Sequence, residues 1–265
     1  MSSNELIKEI NHTVGTLKFN RPEKGNSLSP ALLIELHLTL QQWEAENTVR
    51  AVVITGNSDK AFSSGYDITA IPTGMTPEAA EILKTSNPLE LGLNSVKNFP
   101  YPVIAMINGY CFGAGLNLAM CCDIRIGADH IKAGMPPAKL GLVYHPEGLM
   151  QFIEVIGIAR TRELFFTAHT YQGKQVREMG LVDHLVPLPA LSETAYRMAD
   201  EIAGNAPLSV RGMKKIINMI GKHSALRPED RITADALLAE AFNSHDLKEG
   251  QTAFIKKRKP VFTGH

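Results

Sequence analysis

Gly109, Gly113 and Gly115 interrupt an otherwise apolar stretch that runs from Val103 to Met120. Val103–Ile107 has the composition of a strand, Ala114–Met120 that of a short apolar helix, and Ile124–Ile126 is strand-like again. A strand that breaks at glycine and enters a helix leaves the first amides of that helix without intrahelical acceptors. Donors of this kind stabilise a negative oxygen held close to them. A second glycine turn, Ala61-Phe-Ser-Ser-Gly-Tyr-Asp-Ile68, follows another strand. Two such turns facing one point would make an oxyanion hole; glycines serving only close helix–strand packing are the plainer alternative. A dinucleotide fingerprint fits badly, because the spacing is not G-x-G-x-x-G, the helix is too short for a crossover, and no phosphate-loop Gly-Lys-Ser/Thr is present.

The rest of the chain alternates between strand and helix patterns. Thr13–Phe19 alternates as a strand, and Asn20-Arg-Pro-Glu-Lys-Gly25 is a turn-rich loop. Ser29 caps a helix with Pro30 at its first position and Leu33, Leu36, Leu40 and Trp43 on its buried stripe. Ala51–Thr55 is a continuous apolar strand of the kind covered on both faces. The 70s and 80s, with Pro72, Gly74, Pro77 and Pro88, read as a loop containing a helix, and such loops often cover sites. Leu149, Phe152, Ile153 and Ile156 share one helical face. Thr161–Ala168 and Gln172–Met179 are further helices, the latter ended by Gly180, and Leu181–Val186 is a last strand. From Ser192 onward only helices are expected, with breaks at Gly204–Pro207, at Gly221–Pro228 and around His245. No sequence repeat stands out.

These patterns predict an α/β fold: a largely parallel, helix-covered core over residues 1–204 and an all-helical C-terminal segment over 205–265. That segment is a candidate oligomerisation element, or a set of helices packed on their own core. Equal numbers of basic and acidic residues, 27 each, give no field favouring nucleic acid or an anionic membrane. No apolar run approaches the roughly 18–20 residues of a membrane helix. Three cysteines do not build a disulfide framework, and the polar start Met-Ser-Ser-Asn-Glu argues against a targeting peptide, so the chain reads as cytoplasmic.

Other chemistries find little support. There is no G-x-S-x-G elbow, so Ser63 and Ser64 read as loop residues. No H-E-x-x-H or Cys-x-x-Cys pair suggests a metal. His145, in Tyr-His-Pro-Glu-Gly, is either a base or an incidental loop histidine, and Lys256-Lys-Arg-Lys259 is either a solvated tail or a phosphate contact.

In order along the chain, Asn20-Arg-Pro-Glu-Lys-Gly-Asn-Ser-Leu28, the Ala61–Ile68 turn, Pro102-Val-Ile-Ala-Met-Ile-Asn-Gly109 with its glycine turn, Cys122-Asp-Ile-Arg125 and Glu249–Lys259 resemble the enoyl-CoA hydratase/isomerase (crotonase) superfamily. The resemblance implies a spiral of ββα units, a C-terminal helical trimerisation region (a homotrimer or dimer of trimers), and an acyl-CoA thioester as substrate. It implies an oxyanion hole made by the backbone N–H groups of Tyr66 and Ala114, with no metal and no cofactor beyond the CoA carried by the substrate. By the same resemblance Lys24, Ser64, Gly65, Asp67 and Ile68 belong to CoA-binding loops. Gly113, Pro136, Pro137 and His145 are expected to line the substrate site, and Lys257 to reach nucleotide phosphates from a neighbouring subunit.

The departures from the family pattern are informative. Hydratases of the family carry one glutamate in the helix after the glycine turn and another further along; here those positions hold Asn117 and Pro137. Hydration needs a base to activate water and an acid to protonate carbon. An amide and an imino ring do neither. Decarboxylation of a malonyl-type thioester needs no such base, since loss of CO₂ itself produces the enolate. The branch most similar in pattern is methylmalonyl-CoA decarboxylase, although it has a histidine where this chain has Tyr66 and a glutamate where it has Asn117. Tyr144 and Asn117 are then expected to orient the carboxylate or handle its proton, and Tyr144 is alternatively a buried tyrosine that only satisfies a neighbour. Two rivals remain: a hydratase, isomerase or hydrolase using His145 or Glu147, and a non-catalytic acyl-CoA-binding trimer.

Overall fold

The computed structural model describes residues 5–67 and 87–221, and toward the C-terminus 232, 235, 236, 239, 242–258, 260 and 261. The expected covering loop of the 70s and Ile68 lie outside the described residues. The chain packs as two compact units, Met1–Ala133 with Tyr171–Ile220, and Gly134–Thr170 with Gly221–His265.

The first unit is built on a sheet of order β1-β2-β3-β5-β7-β10. Its strands are β1 (Leu6–Asn11), β2 (Val14–Phe19), β3 (Ala51–Gly56), β5 (Val103–Ile107), β7 (Ile124–Ala128) and β10 (His184–Val186). Only the β1–β2 hairpin is antiparallel; β2–β3, β3–β5, β5–β7 and β7–β10 are parallel. Every residue of β3 and β5 is buried, as their continuous apolar composition requires of strands covered on both faces. A second sheet, β4-β6-β8-β9, is made of three-residue strands: Ala61–Ser63, Tyr110–Phe112, Lys132–Gly134 and Thr170–Gln172. β4, β6 and β8 each follow a strand of the main sheet, as the expected succession of strand pairs requires.

Helices cover the main sheet as their patterns dictate. Pro30–Glu46 begins at Ser29, whose Oγ accepts from Leu32 N–H (3.0 Å), and Pro30 occupies the position where a missing N–H costs nothing. It buries Leu32, Leu33, Leu36, Leu40 and Trp43. Each such side chain contributes about 1.5–3 kcal/mol by leaving water. Pro88, read from the sequence as part of a loop, instead opens the Pro88–Asn98 helix, capped by Asn87, and Leu33 of the first helix packs against its Gly92. Leu188–Ala203 turns Leu191, Ala195, Ala199 and Ala203 inward; this small-residue stripe lets the helix lie close on the strands, and Tyr196 meets Thr16 at 3.0 Å. The expected Gln172–Met179 helix is shorter than its spacing suggested. Thr170–Gln172 is strand, and helix occupies only Lys174–Glu178 after Gly173. The last strand is likewise shortened to His184–Val186.

In the second unit, a 3-10 turn at Pro137–Leu140 precedes the long helix Pro146–Thr167, which breaks at Gly157 (φ 77°) between its two expected halves. The turn lies against the C-terminal helix His245–Ile255: a Cβ on Gly250 would sit 2.5 Å from the Leu140 carbonyl oxygen. Among the described residues, no helix is long and apolar enough to cross a membrane.

Candidate active site

β4 and β6 lie side by side and parallel, so the turns that leave them start from one edge of the small sheet. Beyond β4 the chain passes Ser64 and reaches Gly65 at φ 113°; beyond β6 it reaches Gly113 at φ 52°, ψ −126°. Both values lie where a side chain is strained, and the two glycines face each other. A Cβ on Gly65 would lie 3.8 Å from the Ala114 nitrogen, and a Cβ on Gly113 would lie 3.8 Å from Gly65 Cα. Beneath them, a Cβ on Gly115 would collide with Ser63 Cβ at 2.5 Å, so this helix starts as close to β4 as backbone allows. The Ser63 hydroxyl, fully buried, accepts from Gly65 N–H at 3.2 Å and stiffens the first turn.

The Ala114–Cys121 helix is buried on all sides, which its apolar composition permits. Asn117 N–H to Gly113 O (3.0 Å) is its first backbone bond, so the Ala114, Gly115 and Leu116 amides have no acceptor within the helix. On the other turn, Leu28 pairs with Tyr66 in an isolated parallel bridge: Leu28 N–H donates to Gly65 O (2.8 Å) and Asp67 N–H donates to Leu28 O (2.9 Å). In a trans peptide the carbonyl and the following N–H point in opposite directions. Because Gly65 O faces Leu28, Tyr66 N–H is directed away from it. Neither the Tyr66 nor the Ala114 amide donates to another described residue.

Of the residues expected from the sequence, Lys24, Ser64, Gly65, Tyr66, Asp67, Gly113, Ala114 and Asn117 fall in this one neighbourhood of the first unit. Ser64 N–H donates to Gly25 O (2.9 Å) and its hydroxyl to Lys24 O (3.1 Å), which ties the two loops together. Lys24 Nζ is 3.6 Å from Asp67 Oδ2 and half exposed. The Asp67 carboxylate is itself turned inward, 2.7 Å from Arg21 Nη2. The Tyr66 phenol is half-buried, and burial, then the Asp67 charge, pushes its pKa up, so it stays neutral at physiological pH. Asn117 is fully buried.

Pro136, Pro137, Tyr144, His145 and Lys257 belong to the second unit. The Tyr144 ring meets His145 (centroids 4.6 Å, planes tilted 41°) and Phe165 (5.5 Å, tilted 51°), and its edge carbons fill the space where a Cβ on Gly148 would sit. His145 has a structural task that its lone occurrence did not reveal. It caps the long helix, with Nδ1 accepting from Gly148 N–H at 3.2 Å. Lys257 is exposed at φ 51°, just past the C-terminal helix.

The family model for enoyl-CoA hydratase/isomerase matches residues 9–265. The chain belongs to this family. Among its relatives, the short-chain-enoyl-CoA hydratase of Clostridium acetobutylicum is 31% identical over 259 residues, covering 98% of this chain and 97% of that protein. A solved methylmalonyl-CoA decarboxylase in complex with 2-nitronate-propionyl-CoA superposes with a TM-score of 0.88 at 26% identity, covering 98% of this chain and 99% of that one. The enoyl-CoA hydratase of Bacillus anthracis superposes with a TM-score of 0.73 at 31% identity, covering 98% and 100%. Hydratase and decarboxylase members are therefore both near this chain, the first in sequence and the second in backbone course.

Two contributors to the site were not singled out from the sequence of this family member. Asn26, at φ 54°, accepts from Arg21 N–H (3.0 Å) and donates to Ala61 O (2.7 Å), joining the Arg21 loop to β4. Arg21 is 4% exposed, an unusual burial for an arginine. The signal present was Asn20-Arg-Pro, which local rules read only as a turn.

Proposed function

We propose that this chain acts on an acyl-CoA thioester and decarboxylates a short malonyl-type (methylmalonyl-like) one, with the Tyr66 and Ala114 amides holding the thioester oxygen. The bond between the α-carbon and the carboxylate breaks, its electron pair passes into the enolate, and CO₂ leaves. A proton then returns to the α-carbon. Negative charge develops on the thioester oxygen, where each preorganised donor is worth about 2.7–4 kcal/mol.

The observation that carries this reading is Asn117, fully buried on the helix that begins with Ala114. An amide takes up no proton near neutral pH, so it suits an enolate born of C–C cleavage rather than of proton abstraction. It also brings no charge to repel a substrate carboxylate. The close backbone likeness to methylmalonyl-CoA decarboxylase supports the same reading. The test is to incubate the protein with malonyl-, methylmalonyl- and ethylmalonyl-CoA and with crotonyl-CoA, following CO₂ release and water addition. CO₂ from any of the first three is expected; turnover of crotonyl-CoA alone would replace this reading with a hydratase. Binding of every thioester without turnover would leave a binding protein.

The proposed assembly is a homotrimer or a pair of trimers. Met213, Ile216 and Ile217 share one face of the Pro207–Gly221 helix and are 57%, 56% and 66% exposed, and Phe254 and Ile255 end the C-terminal helix at 70% and 76%. Exposed apolar side chains on each of these two helices favour burial against further copies. Light scattering is expected to give three or six times the 29.0 kDa chain mass, and a monomer at micromolar concentration would overturn the proposal.

A further inference from the structure

The buried Arg21 guanidinium contacts both sides of the Leu28–Tyr66 bridge. Nη1 donates to Ser27 O (2.8 Å) and Ser27 Oγ (3.1 Å), on the residue preceding Leu28. Nη2 donates to Asp67 Oδ2 (2.7 Å), on the residue following Tyr66. Nε lies 3.1 Å from Glu5 Oε1, and the other Glu5 oxygen contacts the Ser29 hydroxyl. The side chains of Arg21 and Asp67 are 5% and 6% exposed.

An ion pair this deep is weak evidence of stability, because desolvating both charges offsets most of their attraction. What a planar fork supplies is geometry: fixed donor directions that a lysine ammonium cannot reproduce. Here the fork spans the two segments whose pairing sets the direction of the Gly65–Tyr66 peptide.

We propose that Arg21 is a positioning residue: by clamping Ser27 and Asp67 it aims Tyr66 N–H at the point faced by Ala114 N–H. This rests on the acyl-CoA reading above, and adds to it a residue that touches no substrate. Rotating the peptide would withdraw the donor from the carbonyl oxygen while the rest of a bound acyl-CoA keeps its contacts. Arg21→Lys keeps the charge and removes the fork. Its kcat is expected to fall about 10- to 100-fold, a share of the 10²–10³ that deleting a donor costs, with KM changing by less than about 3-fold. Asp67→Asn, which keeps an acceptor for Nη2 and is the milder change, is expected to lower kcat by about 3- to 10-fold.

The deciding experiment is isotope-edited infrared spectroscopy of the thioester carbonyl of bound acetyl-CoA, in wild type and both variants, with kcat and thermal unfolding measured alongside. In wild type the carbonyl stretch is expected to move to lower frequency than in solution. In Arg21→Lys most of that displacement is expected to vanish while acetyl-CoA still binds. A variant that loses stability yet keeps both the displacement and kcat per folded molecule overturns the positioning role and leaves the acyl-CoA reading standing. A wild type that fails to bind acetyl-CoA, or binds it with an unshifted carbonyl, overturns that reading and this inference with it.

Discussion

Gly113 and Gly173 hold nearly the same backbone, φ 52°, ψ −126° against φ 53°, ψ −129°, and each joins a three-residue strand of the same small sheet to a helix. Their surroundings differ. Across from Gly113 is the Gly65 turn, another backbone that presents an amide. Across from Gly173 is the Asp129 carbonyl oxygen, 3.4 Å from where a Cβ would sit, and Gly173 N–H already donates to Ile131 O at 3.3 Å. A carbonyl oxygen borders both places, Phe112 O at 3.3 Å from a Cβ on Gly65 and Asp129 O at 3.4 Å from one on Gly173, so the proposed difference is the second amide-bearing turn that faces Gly113. A glycine that starts a helix therefore supplies donors wherever it occurs; a site for charge arises only where a second donor turn meets it.

The largest contrast is expected from proline at the first helical residue after each glycine. Proline is tolerated there and lacks the N–H, so Ala114→Pro removes one proposed donor without breaking the helix. Decarboxylation is expected to fall by about 10²–10³-fold with little change in melting temperature, whereas Lys174→Pro at the other turn stays within about 2-fold. Equal effects at the two turns, read by kcat and calorimetry, would erase the distinction. Next in size is alanine at the glycines themselves. A side chain in this conformation costs about 1–3 kcal/mol, so Gly113→Ala and Gly173→Ala should lose similar stability in denaturant titrations. Only Gly113→Ala should also lose activity per folded molecule.

The legible parts of the fold were those where local and tertiary demands coincide. Ser29-Pro30 with its leucine stripe announced the first helix, and β3 and β5 announced themselves by unbroken apolar runs. The small sheet was illegible because three-residue strands have no periodicity to detect. Thr170–Gln172 accordingly merged into a helical pattern, and the recurrence of strand, glycine and helix left no sequence repeat. β1 was missed because its residues, LIKEIN, are mostly exposed after Leu6 and do not alternate. At the site, the glycine turns were legible from residue types alone. Arg21 was not, since nothing local distinguishes a buried arginine in a turn from a solvated one; its partners Ser27, Asp67 and Glu5 meet only in the folded chain. His145 was read as a base or a bystander because a histidine cap has no sequence mark comparable to serine or asparagine.

Three smaller effects sharpen the comparison further. Tyr144→Phe is expected to lower decarboxylation several-fold more than it lowers acyl-CoA affinity, and an unchanged rate would remove that hydroxyl from the chemistry. Cys111, inside β6 just before the Gly113 turn, is fully buried and burial pushes its thiol pKa up, so thiol reagents at pH 8 should label it only on global unfolding. Labelling at a rate faster than unfolding would mean that the turn opens locally. Cys122 gives the pH dependence. Burial, and then Asp123, push its pKa up to about 12 from 9.0. A group raised in the folded state contributes stability in full below its unfolded value and loses it as pH rises toward the folded one. Denaturation midpoints are therefore expected to decline as pH rises from 9.0 toward about 12, and Cys122→Ala should flatten that decline.

The central claim concerns one oxygen atom, and a crystal structure with bound propionyl-CoA tests it most directly. The thioester oxygen is expected within about 2.7–3.1 Å of both the Tyr66 and the Ala114 nitrogens. A thioester oxygen bound to only one of them, or to neither, would contradict the account.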